Sequence, residues 1–422
     1  MRGICPLTNQ QVDKCTSPLA NSAQEEDEEN KQLLVELASA VVKSLDRANE
    51  VVNVEFLARG GYNHLWTVTF SKVRHKLLDI SLLLRLLTSK KQNQNDKCTQ
   101  SGISETQLHK LVLRLPRRVP SLQPFQLRNE VAFLTYISQK LPNIPVPKVY
   151  AYEDGTNPGT VPYIAEEFID GSKLEDVWFE LSNDKKQSLC QRIASIVVDL
   201  AETRFSVIGS LSLDFHPGPT VQGVKIFKGR YKFHSSEIYD VGPYFKSKDF
   251  ILAAYDREIY YYTHGGDDIE MDFFTKTPLP NWIEHLKTER EAIAAGEKDD
   301  VCKLIDEEPF CISHGDFSTS NILVRDGNVV GVVDWEFAGM YPLSEILGPI
   351  DIISLAEKHY RFDSDAAEEE MEKWNKQVLE DIEAIARQRG WAEKNVKVLM
   401  GDSHDIFSTA QFEMFPRDWM ME

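Results

Sequence analysis

Residues 310–342 read FCISHGDFSTSNILVRDGNVVGVVDWEFAGMYP, and the punctuation of this stretch predicts strand, loop, strand, turn, strand. A short apolar run ends at Cys311 and Ile312, His314-Gly315-Asp316 opens a loop, and the loop closes at Asn321 before Ile322, Leu323 and Val324 resume a strand. Asp326-Gly327-Asn328 is a hairpin signal, because Gly and Asn tolerate the positive φ of a tight two-residue connection. The chain then returns along Val329 to Val333 and delivers Asp334 beside Asn321. Asp316, Asn321 and Asp334 therefore converge at one strand edge as a set of hard oxygen donors, which suits Mg²⁺ held by one or two carboxylates plus substrate phosphates.

That arrangement fits phosphoryl transfer, which needs one group to accept or orient the proton of the attacking hydroxyl and others to hold metal against the polyphosphate. Asp316 can be the first, and Asn321 with Asp334 the second. The spacing of Asp, four residues and Asn matches the catalytic loop of eukaryotic-like kinases, with Asp334 where the metal-binding Asp follows. HGDFSTSNILV followed by VVDWEFAG resembles the aminoglycoside phosphotransferase and choline kinase group, whose loop begins His-Gly-Asp. The resemblance implies Asp316 as catalytic base and Asn321 and Asp334 as Mg²⁺ ligands. DWEFAGMYP lacks the Phe-Gly of protein kinases after the metal Asp, and no Ala-Pro-Glu segment follows.

Composition narrows the partners. A chain of 422 residues with 42% hydrophobic content is long enough for a large two-lobed fold, and its formal charge of −19 argues against nucleic acid, which requires a basic surface. An acidic surface favours cationic small molecules, or simply solubility. The six cysteines are scattered without metal-site spacing and read as reduced thiols. The N-terminus lacks an apolar signal stretch. The most apolar segment, Leu77 to Leu87, is interrupted by Asp79 and Arg85 and falls well short of the ~20 residues of a membrane span. The expectation is a cytoplasmic protein that binds neither membrane nor nucleic acid.

Taken in order, residues 1–26 are polar and aperiodic and read as a disordered tail. Leu33, Leu34, Leu37, Val41, Val42 and Leu45 recur at helical spacing across 31–47. Val51 to Phe70 reads as two strands joined by Arg59-Gly60-Gly61-Tyr62-Asn63. Paired glycines let backbone approach a ligand, although a Gly-Gly hairpin alone is often just a turn. Its position resembles the family's glycine loop, which makes Gly60, Gly61 and Asn63 candidate nucleotide contacts. HKLVLRLP places Arg114 where that family usually has a strand Lys, with Lys110 on the same strand face as the alternative. Residues 71–108 form an insertion whose polar half, 89–106, reads as disordered.

Leu127, Val131 and Leu134 follow a helical period and turn Glu130 toward the sheet as the partner expected for Arg114. YIAEEFIDGSKL resembles the family's hinge, where the backbone of Glu167 and Ile169 would meet adenine and Glu166 faces solvent. Helices are expected over 181–205, 251–262, 282–295, 350–359 and 368–389, the last acidic on one side.

The motif order over about residues 50–360 implies an α+β fold of the bilobal, protein-kinase-like kind. A small β-rich nucleotide-binding lobe is expected over 27–167, and a larger, mostly helical catalytic and acceptor-binding lobe over 168–422. The function implied is an ATP- and Mg²⁺-dependent kinase of a hydroxyl on a small, cationic molecule. A catalytically weak nucleotide-binding pseudokinase or scaffold is the alternative, motivated by Arg114 and the incomplete glycine loop. Fold alone does not name the acceptor.

Overall fold

The computed structural model describes residues 31–60, 63–72, 108–116, 124–157, 159–221, 233–266, 279–298, 303, 307–347, 352–355 and 364–400. The tail 1–26, the insertion between 73 and 107, and Gly61 lie outside them. The chain forms two compact units, Met1–Arg117 with Tyr163–Phe168, and Arg118–Pro162 with Ile169–Glu422.

The first unit is built on antiparallel strands. Helix α1 (Lys31–Leu45) leads into β1 (Asn49–Arg59), β2 (Asn63–Lys72) and β3 (Leu108–Pro116). A later strand, β5 (Tyr163–Glu167), pairs with β3 through Arg114↔Ile164 and Val112↔Glu166. Leu34, Ala38, Val41 and Val42 line the buried stripe of α1 at the spacing of one helical face. Alternation along β3 sends Leu111 and Leu113 to one side and Val112 and Arg114 to the other. β1 pairs with β2 from Asn49↔Lys72 to Arg59↔His64, with irregularities at Val51/Asn53 and Phe56/Ala58.

The second unit is mostly helical. It contains α2 (Pro124–Lys140), β4 (Val149–Glu153), β6 (Ser172–Lys173), α3 (Asn183–Glu202), β7 (Arg204–Phe205), β8 (Ser210–Leu211) and β9 (Pro217–Gly218). These are followed by α4 (Ser247–His264), α5 (Leu279–Ala295), β10 (Phe310–Ser313), β11 (Ile322–Arg325), β12 (Asn328–Val332), β13 (Gly339–Pro342), α6 (Ser364–Gln388) and α7 (Glu393–Met400). Two small sheets, β13-β10-β7 and β12-β11-β6, carry the segment that opens the sequence reading.

The expected division at 167 differs from the observed one, because α2 belongs to the second unit. Its apolar residues Ala132, Phe133, Leu134 and Ile137 share one core with Ile196, Leu200, Ile312, Val332, Trp335 and Met340. Each fully buried large apolar side chain contributes about 1.5–3 kcal/mol, so the helix settles where that core is. A second core joins α3, α6 and α7 and includes Cys190, Cys311, Ile322 and Val324. There Lys186 lies over the rings of Trp178, Phe179 and Trp374 and pairs with Glu370, which also accepts from both indole N–H groups. A third, aromatic core lies between α4 and α5 around Tyr255, Tyr261, Tyr262 and Trp282.

α3 begins on Ser182, whose hydroxyl accepts from Lys185 N, and buries Leu189, Ile193, Ile196, Val197 and Leu200 as expected. The helix expected over 350–359 is not formed in its described part. Residues 352–355 are irregular because their backbone is committed elsewhere: Thr319 N donates to Ile352 O, and Ser354 N donates to Thr319 Oγ1. Among the described residues no helix is long and apolar enough to cross a membrane.

At the far end of β10 the buried Glu308 carboxylate accepts from Ser344 N at 3.0 Å. Burial pushes its pKa up to about 7, against the pull of the Ser344 hydrogen bonds. The native state therefore keeps a proton that the unfolded chain releases, and the stability this gives is present below the ordinary carboxylate pKa and lost as pH rises through 7. Glu308→Gln should flatten that pH dependence and raise the melting temperature at pH 8 by roughly 2–4 °C, read by calorimetry across pH 5–8.

Candidate active site

Asp316, Asn321 and Asp334 stand on two adjoining loops of the second unit, and the hairpin between them is built as its residues dictate. Asp326 (φ 55°) and Gly327 (φ 76°) take the two left-handed positions of a tight turn, and Arg325 pairs with Asn328 across it. Val333 N donates to Asn321 O at 2.9 Å, which registers the end of the returning strand on the end of the first loop. The Asn321 amide donates to Asp316 O at 2.9 Å and to Asp316 Oδ2 at 3.0 Å. Its Nδ2 is thus committed to the loop, and Oδ1 remains as the acceptor oxygen.

Burial pushes the Asp316 carboxyl above its ordinary pKa, and the Asp334 charge adds to the rise while the Asn321 hydrogen bond opposes it. Glu175 raises it further and Lys173 lowers it; those two side chains pair at 3.4 Å. Strand pairing Lys173↔Leu323, together with Glu175 N donating to Thr319 O at 3.3 Å, lays this pair along the loop. A carboxyl group whose affinity for protons is raised above the ordinary value is suited to general-base work.

His314 was given no part by the sequence reading, yet it fastens both loops. Burial lowers its pKa to about 4, so the ring is neutral. Nε2 then donates to Val333 O at 3.0 Å and Nδ1 accepts from Asp316 N at 3.3 Å. The ring packs on Trp335 with centroids 4.4 Å apart. A second fastening runs through Thr319, which bonds Ser354 through its hydroxyl, while Asn375 of α6 holds both N and O of Ile353 at 2.8 and 2.9 Å. The polar run Ser318-Thr319-Ser320 signals such bonding in sequence, but the partner 35 residues on does not.

For a divalent cation, the donor set is the Asn321 amide oxygen and the Asp334 carboxylate. Both are hard oxygen ligands, and this fits Mg²⁺, which keeps several positions for water and phosphate. Among the described residues no group of three or more His, Cys, Asp or Glu side chains is placed to hold a metal ion. That is compatible with a site completed by a polyphosphate and ill suited to an all-protein cage.

In the first unit, Arg114 is buried and lies 3.8 Å from the Glu166 carboxylate. Glu166, expected to face solvent, is buried at 5% exposure because Val112↔Glu166 pairing puts it on the same sheet face as Arg114. Glu130, the partner expected for Arg114, is buried within α2 of the second unit. Lys110, on the Arg114 face, lies 5.0 Å over the Phe168 ring. Gly60 N donates to Asn63 O at 2.8 Å, and a Cβ at Gly60 would meet Asn63 only at ordinary contact distance. Glu167 ends β5, and Ile169, where the chain re-enters the second unit, has its side chain against Gly331 of β12.

The model of the phosphotransferase enzyme family matches residues 101–371, well over half of the chain. The chain belongs to this family. A curated protein similar to this chain is the Kluyveromyces lactis protein named altered inheritance of mitochondria protein 9, mitochondrial. It is 33% identical over 112 residues, 24% of this chain and 18% of that protein. Its Saccharomyces cerevisiae counterpart is 26% identical over 200 residues, 40% of this chain and 32% of that one. The matched stretches thus cover less than a third of these relatives' own length. Solved structures similar to this phosphotransferase-family chain include ADP-bound aminoglycoside phosphotransferase APH(2'')-Ib, 11% identical over 89% of this chain and 90% of that chain, with a TM-score of 0.46. The streptomycin-ATP-APH(2'')-IIa complex is 13% identical over 89% and 98%, with a TM-score of 0.41.

Gly315 tests the loop geometry of this family member directly. Its φ is 82°, and a Cβ there would sit 2.5 Å from the Phe337 carbonyl oxygen and 2.7 Å from Phe337 Cβ. Gly315→Ala should force the two loops apart, lower the melting temperature by several degrees and abolish any phosphoryl transfer; a variant with parental melting and turnover would contradict this geometry.

Proposed function

We propose that this chain is an ATP- and Mg²⁺-dependent phosphotransferase acting on a hydroxyl of a small, cationic molecule. The observation that carries the reading is the Asn321 amide bound at once to the backbone and the carboxylate of Asp316. It fixes a buried, proton-seeking carboxylate beside a second carboxylate, Asp334. Asp316 accepts the proton of the acceptor hydroxyl as the oxygen attacks the γ-phosphoryl group and ADP departs with the bridging oxygen. Asn321 Oδ1 and Asp334 hold the cation, which when bound supplies positive charge against the polyphosphate. In the first unit, Arg114 is the cation proposed for the nucleotide phosphates. Its charge is permanent and Glu166 restrains its planar fork. The carboxylates of Asp316, Asp334 and Glu175 and the overall charge of −19 favour an acceptor carrying amines.

Two substitutions test this reading. Asp316→Ala should keep MgATP binding and lose about 10² to 10⁴-fold in turnover on a panel of hydroxylated amines; a loss below about tenfold rejects Asp316 as base. Arg114→Ala should weaken MgATP binding by about ten- to a hundredfold by calorimetry, with Arg114→Lys restoring part of it. MgATP binding by the parent with no transfer to any acceptor or to water would instead favour the pseudokinase reading, which Arg114 in place of Lys motivates.

A further inference from the structure

Asp334 has φ 65°, a left-handed backbone that a non-glycine residue keeps only where its surroundings over-determine it. Asp tolerates that region better than most residues, but not without help. On the N-terminal side the help is local: Val333 is held by Asn321 O and His314, and Trp335 Nε1 returns to Val332 O at 3.0 Å. On the C-terminal side the chain turns with Ala338 N donating to Trp335 O at 3.0 Å. The carbonyls of Glu336 and Ala338 are then met from more than 200 residues away. Gln126 Nε2 donates to Glu336 O at 3.1 Å and Asn129 Nδ2 donates to Ala338 O at 2.8 Å. Asn129 Oδ1 also accepts from Leu211 N at 2.9 Å. Gln126 and Asn129 lie three positions apart on α2, hence on one face, and are 6% and 1% exposed.

We propose that Gln126 and Asn129 are positioning residues for Asp334, with α2 holding the loop in the one backbone conformation that presents the Asp334 carboxylate together with Asn321 to a divalent cation. The inference rests on the reading of Asp334 as a cation ligand. Its physical content is that both ties act on carbonyls of the turn that follows the strained residue. Without them the loop 335–338 is free to shift, Asp334 relaxes toward negative φ, and its carboxylate swings off the Asn321 side. Partners one step behind a metal ligand typically change metal affinity by 10–100-fold when removed. Asn129 also allows its two bonds to be separated. Aspartate at this position keeps an acceptor for Leu211 N but sets a carboxylate oxygen against the Ala338 carbonyl, so the tie to the loop becomes a repulsion while the Leu211 bond is kept.

The experiment uses the full chain with ADP and titrates Mn²⁺, reading free Mn²⁺ by electron paramagnetic resonance, alongside a melting curve for every variant. Asp334→Asn is the reference for loss of the cation ligand. Gln126→Ala should weaken Mn²⁺ binding about tenfold and Asn129→Asp about ten- to a hundredfold, with each variant still folded well above the assay temperature. ADP binding without metal should stay at the parental value. If Asp334→Asn loses Mn²⁺ while both α2 variants bind it like the parent, the positioning role is overturned and the ligand reading stands. If Asp334→Asn itself binds Mn²⁺ like the parent, the ligand reading fails and this inference with it. Should Asn129→Asp not fold, Gln126→Ala decides alone, since it removes one bond and leaves Asn129 intact.

Discussion

Asp316 and Asp334 share a half-buried site in which the Asp334 charge makes Asp316 harder to ionise. A free loop would answer by separating them or by exposing one to water. Here the loops are held together instead. The neutral His314 joins their backbones, Asn321 O receives Val333 N, and Thr319 anchors the first loop to residues 352–354. Folding elsewhere in the second unit supplies the energy that keeps the pair together, which is how strained, charged sites persist in otherwise stable proteins.

Much of this was legible in sequence where the code is local. The hairpin at Asp326-Gly327, the strands on either side and the buried stripe of α3 follow from turn chemistry and period alone. The illegible parts are those set by register or by distant backbone. Two adjacent glutamates in YIAEEF alternate across a strand, so one of them had to face the Arg114 side; only the pairing of Val112 with Glu166 says which. Ile352, Ile353 and Leu355 mimic a helical spacing, yet their peptide groups are spent on Thr319 and Asn375. The apolar face of α2 was visible, but not the core that would take it, and so α2 was assigned to the other unit.

The departure at Arg114 has its own physical logic. A guanidinium does not shed its charge when buried, unlike a lysine amine, so a buried Arg requires a carboxylate nearby. Glu166 supplies one from the neighbouring strand of the same unit. Arg114 and Glu166, both at 5% exposure, thus bring opposite charges to the same buried face of the sheet.

Cys190 and Cys311 lie in the same core, and burial pushes both thiols up to about 12. Cys311 is also the second residue of β10, five positions before Asp316, and takes a hydrogen bond from Arg204 at 2.7 Å. A thiolate at either position forms at neutral pH only when the surrounding helices part. The two sulfurs are therefore built-in reporters: the rate at which an alkylating reagent marks them, resolved by peptide mass and taken to reagent excess where it stops rising, is the rate at which the core beneath the strand leading to Asp316 breathes open.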